Sequence, residues 1–154
     1  MVTAPMESCL ACDLTSGRSE LPGGTIARES GWVVEHCVGP LGVGTLIVKP
    51  ARHVVHVADL TQDEAAAMGT LLHRASSVVT ELSKPDQVYV SLWSHAGRRP
   101  GHIHFVVQPV DQQTMARLDA HGPKLQAAMF ESDDPPDAER IEEYANRARD
   151  AWPH

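Results

Sequence analysis

An α+β domain, in which one long helix packs a largely antiparallel sheet and a helical extension follows, is the fold class this sequence predicts. Three observations carry that expectation. Trp32 to Val38 and Thr45 to Val48, both rich in β-branched and apolar residues, flank Gly39-Pro40-Leu41-Gly42, the pattern of an antiparallel strand pair around a loop. Thr61-Gln62-Asp63-Glu64 matches the Thr-x-x-Glu capping box, and Met68, Leu71, Leu72, Ala75, Val78, Val79 and Leu82 follow at helical spacing until Lys84-Pro85. Gln87 to Trp93 and His102 to Val107 then supply two more strands, separated by the polar, bend-prone segment Ser94 to Gly101.

The remaining segments follow from local signals. Residues 1 to 7 read as a disordered lead, Thr15 to Gly24 as a loop of turn formers, and Thr25 to Arg28 as a short first strand. Beyond Pro109, Met115 and Leu118 suggest a helix stopping near Gly122-Pro123. Asp133 to Asp137 reads as a hinge, and Ile141, Tyr144, Ala145, Ala148 and Trp152 give a second helical stripe. At 154 residues with 42% hydrophobic side chains the chain holds one core of ordinary size. The division expected is a domain over 1–110 and a helical extension over 111–154.

Charge narrows the function classes. The formal net charge is -7, and residues 131 to 154 carry eight acidic against three basic side chains, so the main body is nearly neutral. Extended nucleic acid would need a broad cationic surface to displace counterions, and none is expected here. The sequence offers neither an apolar run of ~20 residues nor a basic leader followed by an apolar stretch, so no membrane partner and a cytoplasmic location are the expectations. Three cysteines, Cys9, Cys12 and Cys37, point in such a setting to metal binding or simple burial rather than disulfides.

The chemistry concentrates in His102-Ile103-His104. Alternation along a strand points both imidazoles to one face, roughly 7 Å apart at ~3.3 Å rise per residue. Taken alone, such a tripeptide is more often two ordinary, hydrogen-bonded, partly buried histidines than a site. Cys9-x-x-Cys12 with His53 and His102 makes a Cys2His2 set suited to tetrahedral zinc, the alternative being reduced cysteines packed in the core. Arg98 and Arg99 lie in the preceding loop, where guanidinium groups can grip phosphate oxygens or stay solvated. Trp32, Trp93 and Trp152 read as packing residues rather than stacking platforms.

Gly101 to Pro109 resembles the signature strand of the histidine triad (HIT) superfamily, which alternates histidine with apolar residues and ends near a proline. Gly44 to His53 resembles that family's strand running into a Pro-x-x-His turn, and Asp59-Leu60-Thr61 with Glu64 the start of its long helix. The resemblance covers about residues 7 to 110. It implies a zinc site in the family's zinc-bearing branch at Cys9, Cys12, His53 and His102. It also implies that His104 is a nucleophile toward the α-phosphorus of a nucleotide-like substrate, and that the chain forms a homodimer.

Two departures accompany the match. Val106 stands where the third motif histidine would be, and Gln108, two residues on, shares its face as a possible substitute contact. Cys37 falls where relatives commonly carry an acidic ribose-binding residue, with His36 beside it as a candidate ligand contact, which puts a free ribose in doubt. The expected function is a nucleotide hydrolase or nucleotidyltransferase acting on a small nucleotide-like phosphate compound. The alternative is a zinc-stabilised nucleotide-binding or regulatory protein without turnover, and a third reading has zinc with an open position activating water.

Overall fold

The computed structural model of the chain describes residues 8–154; the segment expected as a disordered lead lies outside the described residues. Five antiparallel strands form one sheet in the order β1-β2-β3-β5-β4: β1 Ala27–Glu29, β2 Trp32–His36, β3 Leu46–Pro50, β4 Gln87–Ala96 and β5 Arg99–Val110. The α-helices are α1 Leu10–Ser16, α2 Gln62–Ser83, α3 Gln112–Leu118, α4 Pro123–Ser132 and α5 Ala138–Ala151. The α+β class and the antiparallel sheet are as the sequence predicts.

Local chemistry sets these elements. A two-residue turn, Ser30 at φ 52 and Gly31 at φ 80, joins β1 to β2, the paired positive φ that matches the twist of a hairpin. Helix α2 carries the full capping box: the Glu64 amide donates to Thr61 Oγ1 at 3.1 Å, and the Thr61 amide donates to Glu64 Oε1 at 2.8 Å. It ends at Lys84 in the left-handed region, immediately before Pro85.

Its apolar stripe, Leu71, Ala75, Val78 and Val79, packs on Trp32, Val34, Leu46, Val48 and Val107 of the sheet. Helix α5 lies beside α2 and adds Tyr144, Ala145, Ala148 and Trp152 to the same core, so the tail helix is built into the body.

Three local readings change. The segment Ser94 to Gly101 is not a loop, because β4 and β5 continue through it to a two-residue turn at Gly97-Arg98. Gly122-Pro123 does not merely end a helix: Pro123 opens α4, where its missing N–H is one the first turn leaves unpaired anyway. Helix α1, whose N-cap is Cys9, fills residues given no element from sequence and takes in Thr15 and Ser16, the start of the stretch read as a loop. α1 and α4 matter because residues of both line the sheet face opposite α2.

Candidate functional site

Alternation divides the sheet. Trp32, Val34, Leu46, Val48 and Val107 face α2, while Glu35, Cys37, Ile47, Lys49, His104 and Val106 face a cavity of about 620 Å³. Ser8, Cys9, Leu10, Ala11 and Leu14 wall it on one side and Phe130 on another; Trp93, His95 and Arg99 of the β4–β5 hairpin complete it.

At one end of the cavity Cys9, Cys12, His53 and His102 bring one ligand atom each to within 4.8 Å of one another. Several constraints place them. The β4–β5 register passes from Trp93↔His104 to His95↔Pro100, so three residues of β5 oppose one of β4 in a bulge. Gly101 is needed there, since a Cβ would stand 2.8 Å from the Ala96 amide nitrogen. The bulge frees the Ile103 amide to donate to Val54 O at 2.9 Å, tying the His53 turn to the His102 segment. Arg52, next to His53, donates from Nε and Nη2 to the Glu64 carboxylate and from Nη2 to Asp59 O at 2.6 Å, pinning that turn to the start of α2.

The donor set fits zinc. His102 Nε2 lies 2.9 Å from Pro50 O, and a carbonyl only accepts, so the proton sits on Nε2 and the Nδ1 lone pair points at the sulfurs. Nδ1 of His102 is 3.7 Å from Cys9 Sγ and 3.5 Å from Cys12 Sγ, and His53 Nδ1 is 3.4 Å from Cys12 Sγ. Sulfur and nitrogen ligands on a tetrahedral zinc stand about 3.5 to 3.6 Å apart, given bonds of roughly 2.3 and 2.0 to 2.1 Å. Burial, then the neighbouring Cys9, pushes the Cys12 thiol up to about 11, so thiolates at this spot call for a cation. Burial brings His102 down to about 4, which keeps it neutral as a ligand must be.

His104 is oriented differently. Its Nδ1 donates to His102 O at 3.0 Å, which leaves the Nε2 lone pair outside the metal set, on a side chain that lines the cavity. Burial lowers its pKa from the ordinary histidine value, outweighing the backbone bond that raises it. Trp93 stands with its ring centroid 6.3 Å away and meets Phe130 edge-on at 5.5 Å, so it is a wall of the site, where the sequence reading made it a packing residue.

The other expected contacts separate. Arg99 lines the cavity, whereas Arg98 sits at the exposed hairpin tip and is not among the lining residues. Gln108 is fully buried under α4: it donates to Leu41 O at 3.1 Å and accepts from Gln126 Nε2 at 3.2 Å, and it is not among the cavity-lining residues. Val106 is likewise buried, in an apolar cluster with Cys37 and Leu41.

His36 has no nitrogen left for a ligand, since Nδ1 donates to Cys37 O at 2.7 Å and Nε2 accepts from the Gly44 amide at 2.9 Å. Gly44, at φ +94, permits that approach, because a Cβ would lie 2.8 Å from Ser83 Oγ.

Burial holds His36 neutral down to about 4 against an unfolded value of 6.5. Between those values the unfolded chain binds the proton and the folded chain does not, so this residue's contribution is intact above about pH 7 and falls as pH drops. The loss amounts to roughly 3 kcal/mol by pH 4 at about 1.4 kcal/mol per unit. Urea titrations of wild type and His36→Gln across pH 4 to 7 should show a shallower slope in the variant; parallel slopes would refute the assignment.

Two residues that sequence reasoning passed over lie in the cavity floor. Lys49 is fully buried, donating to Ala11 O at 2.7 Å and to Glu35 Oε1. A lysine inside Leu46-Ile47-Val48-Lys49-Pro50 and a glutamate inside Trp32 to Val38 were the available signal: opposite charges in two adjoining buried strands.

No protein-family model matches the chain, and no curated protein matches it in sequence. Solved structures do match. A HIT-like protein involved in cell-cycle regulation from Bartonella henselae, crystallised with an unknown ligand, superposes with a TM-score of 0.71 at 14% identity, covering 97% of this chain and 99% of that one. A zinc-bound histidine triad family protein from Mycobacterium smegmatis gives 0.63 at 21% identity, covering 94% and 92%. A hypothetical histidine triad nucleotide-binding protein from Sulfolobus tokodaii gives 0.68 at 17% identity, covering 93% and 91%.

Proposed function

On the premise that the chain has the histidine triad fold, we propose that it is a hydrolase or nucleotidyltransferase acting at the α-phosphorus of a nucleotide-like compound, with His104 as nucleophile. The observation that carries this is the His104 tautomer: Nδ1–H is committed to His102 O, so a neutral ring offers Nε2 to a cavity that also receives Arg99. Nε2 attacks phosphorus, a P–N bond forms, and the P–O or P–N bond to the leaving group breaks. Water or another acceptor then attacks phosphorus and returns the imidazole. Val106 offers the leaving group no proton, so the leaving group either takes one from solvent or departs unprotonated as a weak base.

Zinc, where Cys9, Cys12, His53 and His102 hold it, supplies structure. Four protein donors close a tetrahedral site, which disfavours activation of a metal-bound water. The second reading is a binding protein without turnover, favoured by the buried Val106 at the third histidine position. Incubation with dinucleoside polyphosphates and nucleoside phosphoramidates, with product detection, separates the two: consumption supports the enzyme, saturable binding without product the second reading.

The two arginines should behave differently. Arg99→Ala should weaken binding of a nucleoside monophosphate by about 10-fold or more, the worth of a charge-assisted bond, and Arg98→Ala by less than about twofold. Calorimetry on both variants tests this; equal losses would place the phosphate at the hairpin tip.

A homodimer is part of the same proposal. β4 is the sheet edge and leaves Val90 and Leu92 exposed. Sedimentation should give twice the chain mass, and Leu92→Asp should shift it to one chain.

A further inference from the structure

Glu35 presents the least explained chemistry in the cavity. One carboxylate oxygen is bound by Lys49, and the other, Oε2, is buried with no hydrogen-bond partner, one of two such side-chain atoms among the described residues. A buried acceptor left without a partner costs stability, so its retention calls for a role. Lys49 has three N–H groups, of which Ala11 O and Glu35 Oε1 take two. Both side chains line the same cavity as His104, yet neither belongs to the histidine, cysteine and arginine sets that carry the resemblance.

Register sets the span. Ile47 pairs with Glu35 on β2 and with Val106 on β5, and continuing the β3–β5 pairing past Val48↔Phe105 sets Lys49 opposite His104. Two strand spacings and two residues along the strand separate the His104 and Glu35 backbones by about 12 Å. That matches the order of the distance from phosphorus to the far edge of the base in a mononucleotide. Ile47 of β3 lies between the two points, and Leu41, Trp93 and Phe130 are further apolar walls of the same cavity, which suit a flat ring.

Resting on the phosphate reading above, we propose that the Glu35–Lys49 pair is the specificity-determining end of the cavity: Glu35 Oε2 accepts a hydrogen bond from an N–H group on the ligand's ring, beside a Lys49 N–H that meets an adjacent ring acceptor. The compound taken at His104 is then a phosphate derivative of a heterocycle bearing an amino or lactam N–H.

The test uses full-length protein and calorimetry with four probes: adenosine, guanosine and inosine 5′-monophosphates, and purine riboside 5′-monophosphate, whose base has no amino or lactam N–H. The tightest of the first three should bind at least about 10-fold better than the fourth, as one bond to a buried charged acceptor allows. In Glu35→Leu with Lys49→Met, which replaces the ion pair by apolar groups of similar volume, that preference should fall below about twofold. Glu35→Gln alone gives the same readout should the double variant not fold.

Equal binding of all four by the wild type, or a preference that survives both variants, overturns the inference and leaves the phosphate reading standing. Failure of all four to bind overturns that reading and the inference with it.

Discussion

Removal of zinc should cost the protein its ligand affinity as well as stability, through loss of one cavity wall. Helix α1 is only seven residues long and has no buried residue of its own. What fastens it is the Cys9 and Cys12 ligand set and the bond from Lys49 Nζ to Ala11 O. Yet Ser8, Cys9, Leu10, Ala11 and Leu14 all line the cavity. The main core, built by the sheet with α2 and α5, contains none of these residues, so chelation should loosen the N-terminal segment locally more than unfold the domain.

Amide exchange over residues 8–16 should rise by orders of magnitude after chelation, and a nucleoside monophosphate should bind at least about 10-fold more weakly. Linkage makes the effect mutual, so saturating ligand should raise the zinc affinity, read from chelator competition at equilibrium, by the same factor. Cys9→Ser with Cys12→Ser should reproduce the metal-free state. Unchanged exchange and affinity in the apoprotein would show that α1 stays docked without metal.

The parts of this architecture visible in the sequence are those whose signals are local. The Thr61–Glu64 capping box and the apolar spacing behind it define α2 almost to the residue, because cap and stripe are written in consecutive positions. The Cys2His2 set was legible as a pattern, although its four members meet only through a β5 bulge and an Arg52–Glu64 clamp that no spacing rule encodes.

The hydrogen bonding of His36 and Gln108 was not legible for a related reason. Both are polar residues near the right strands, and only the fold shows that Gly44, Cys37, Leu41 and Gln126 already consume their hydrogen-bonding atoms. Arg98 and Arg99 looked equivalent because a two-residue hairpin turn sends neighbours to different places. Lys49 and Glu35 escaped notice since charges in strands usually face solvent, and their pairing is a diagonal contact across β2 and β3.

His104 and His102, two residues apart, should fail in opposite ways when replaced. His102→Ala removes an Nδ1 that stands within 3.7 Å of both cysteine sulfurs and an Nε2–H held by Pro50 O, so the variant should lose metal, melt lower and expose residues 8–16 to exchange. His104→Asn leaves all four metal donors in place and keeps a side chain able to reach His102 O, so zinc content and melting temperature should stay close to wild type.

Turnover of an accepted substrate should nonetheless fall in His104→Asn by at least about 1,000-fold, since a two-step displacement has no first step without its nucleophile. Quenching the wild type under conditions that spare phosphoramidate bonds should capture a nucleotidyl group on His104, and the variant should yield none. An active His104→Asn enzyme would end the nucleophile assignment. A wild type that turns over without forming the adduct would transfer the reaction to water attacking directly, with His104 as its base.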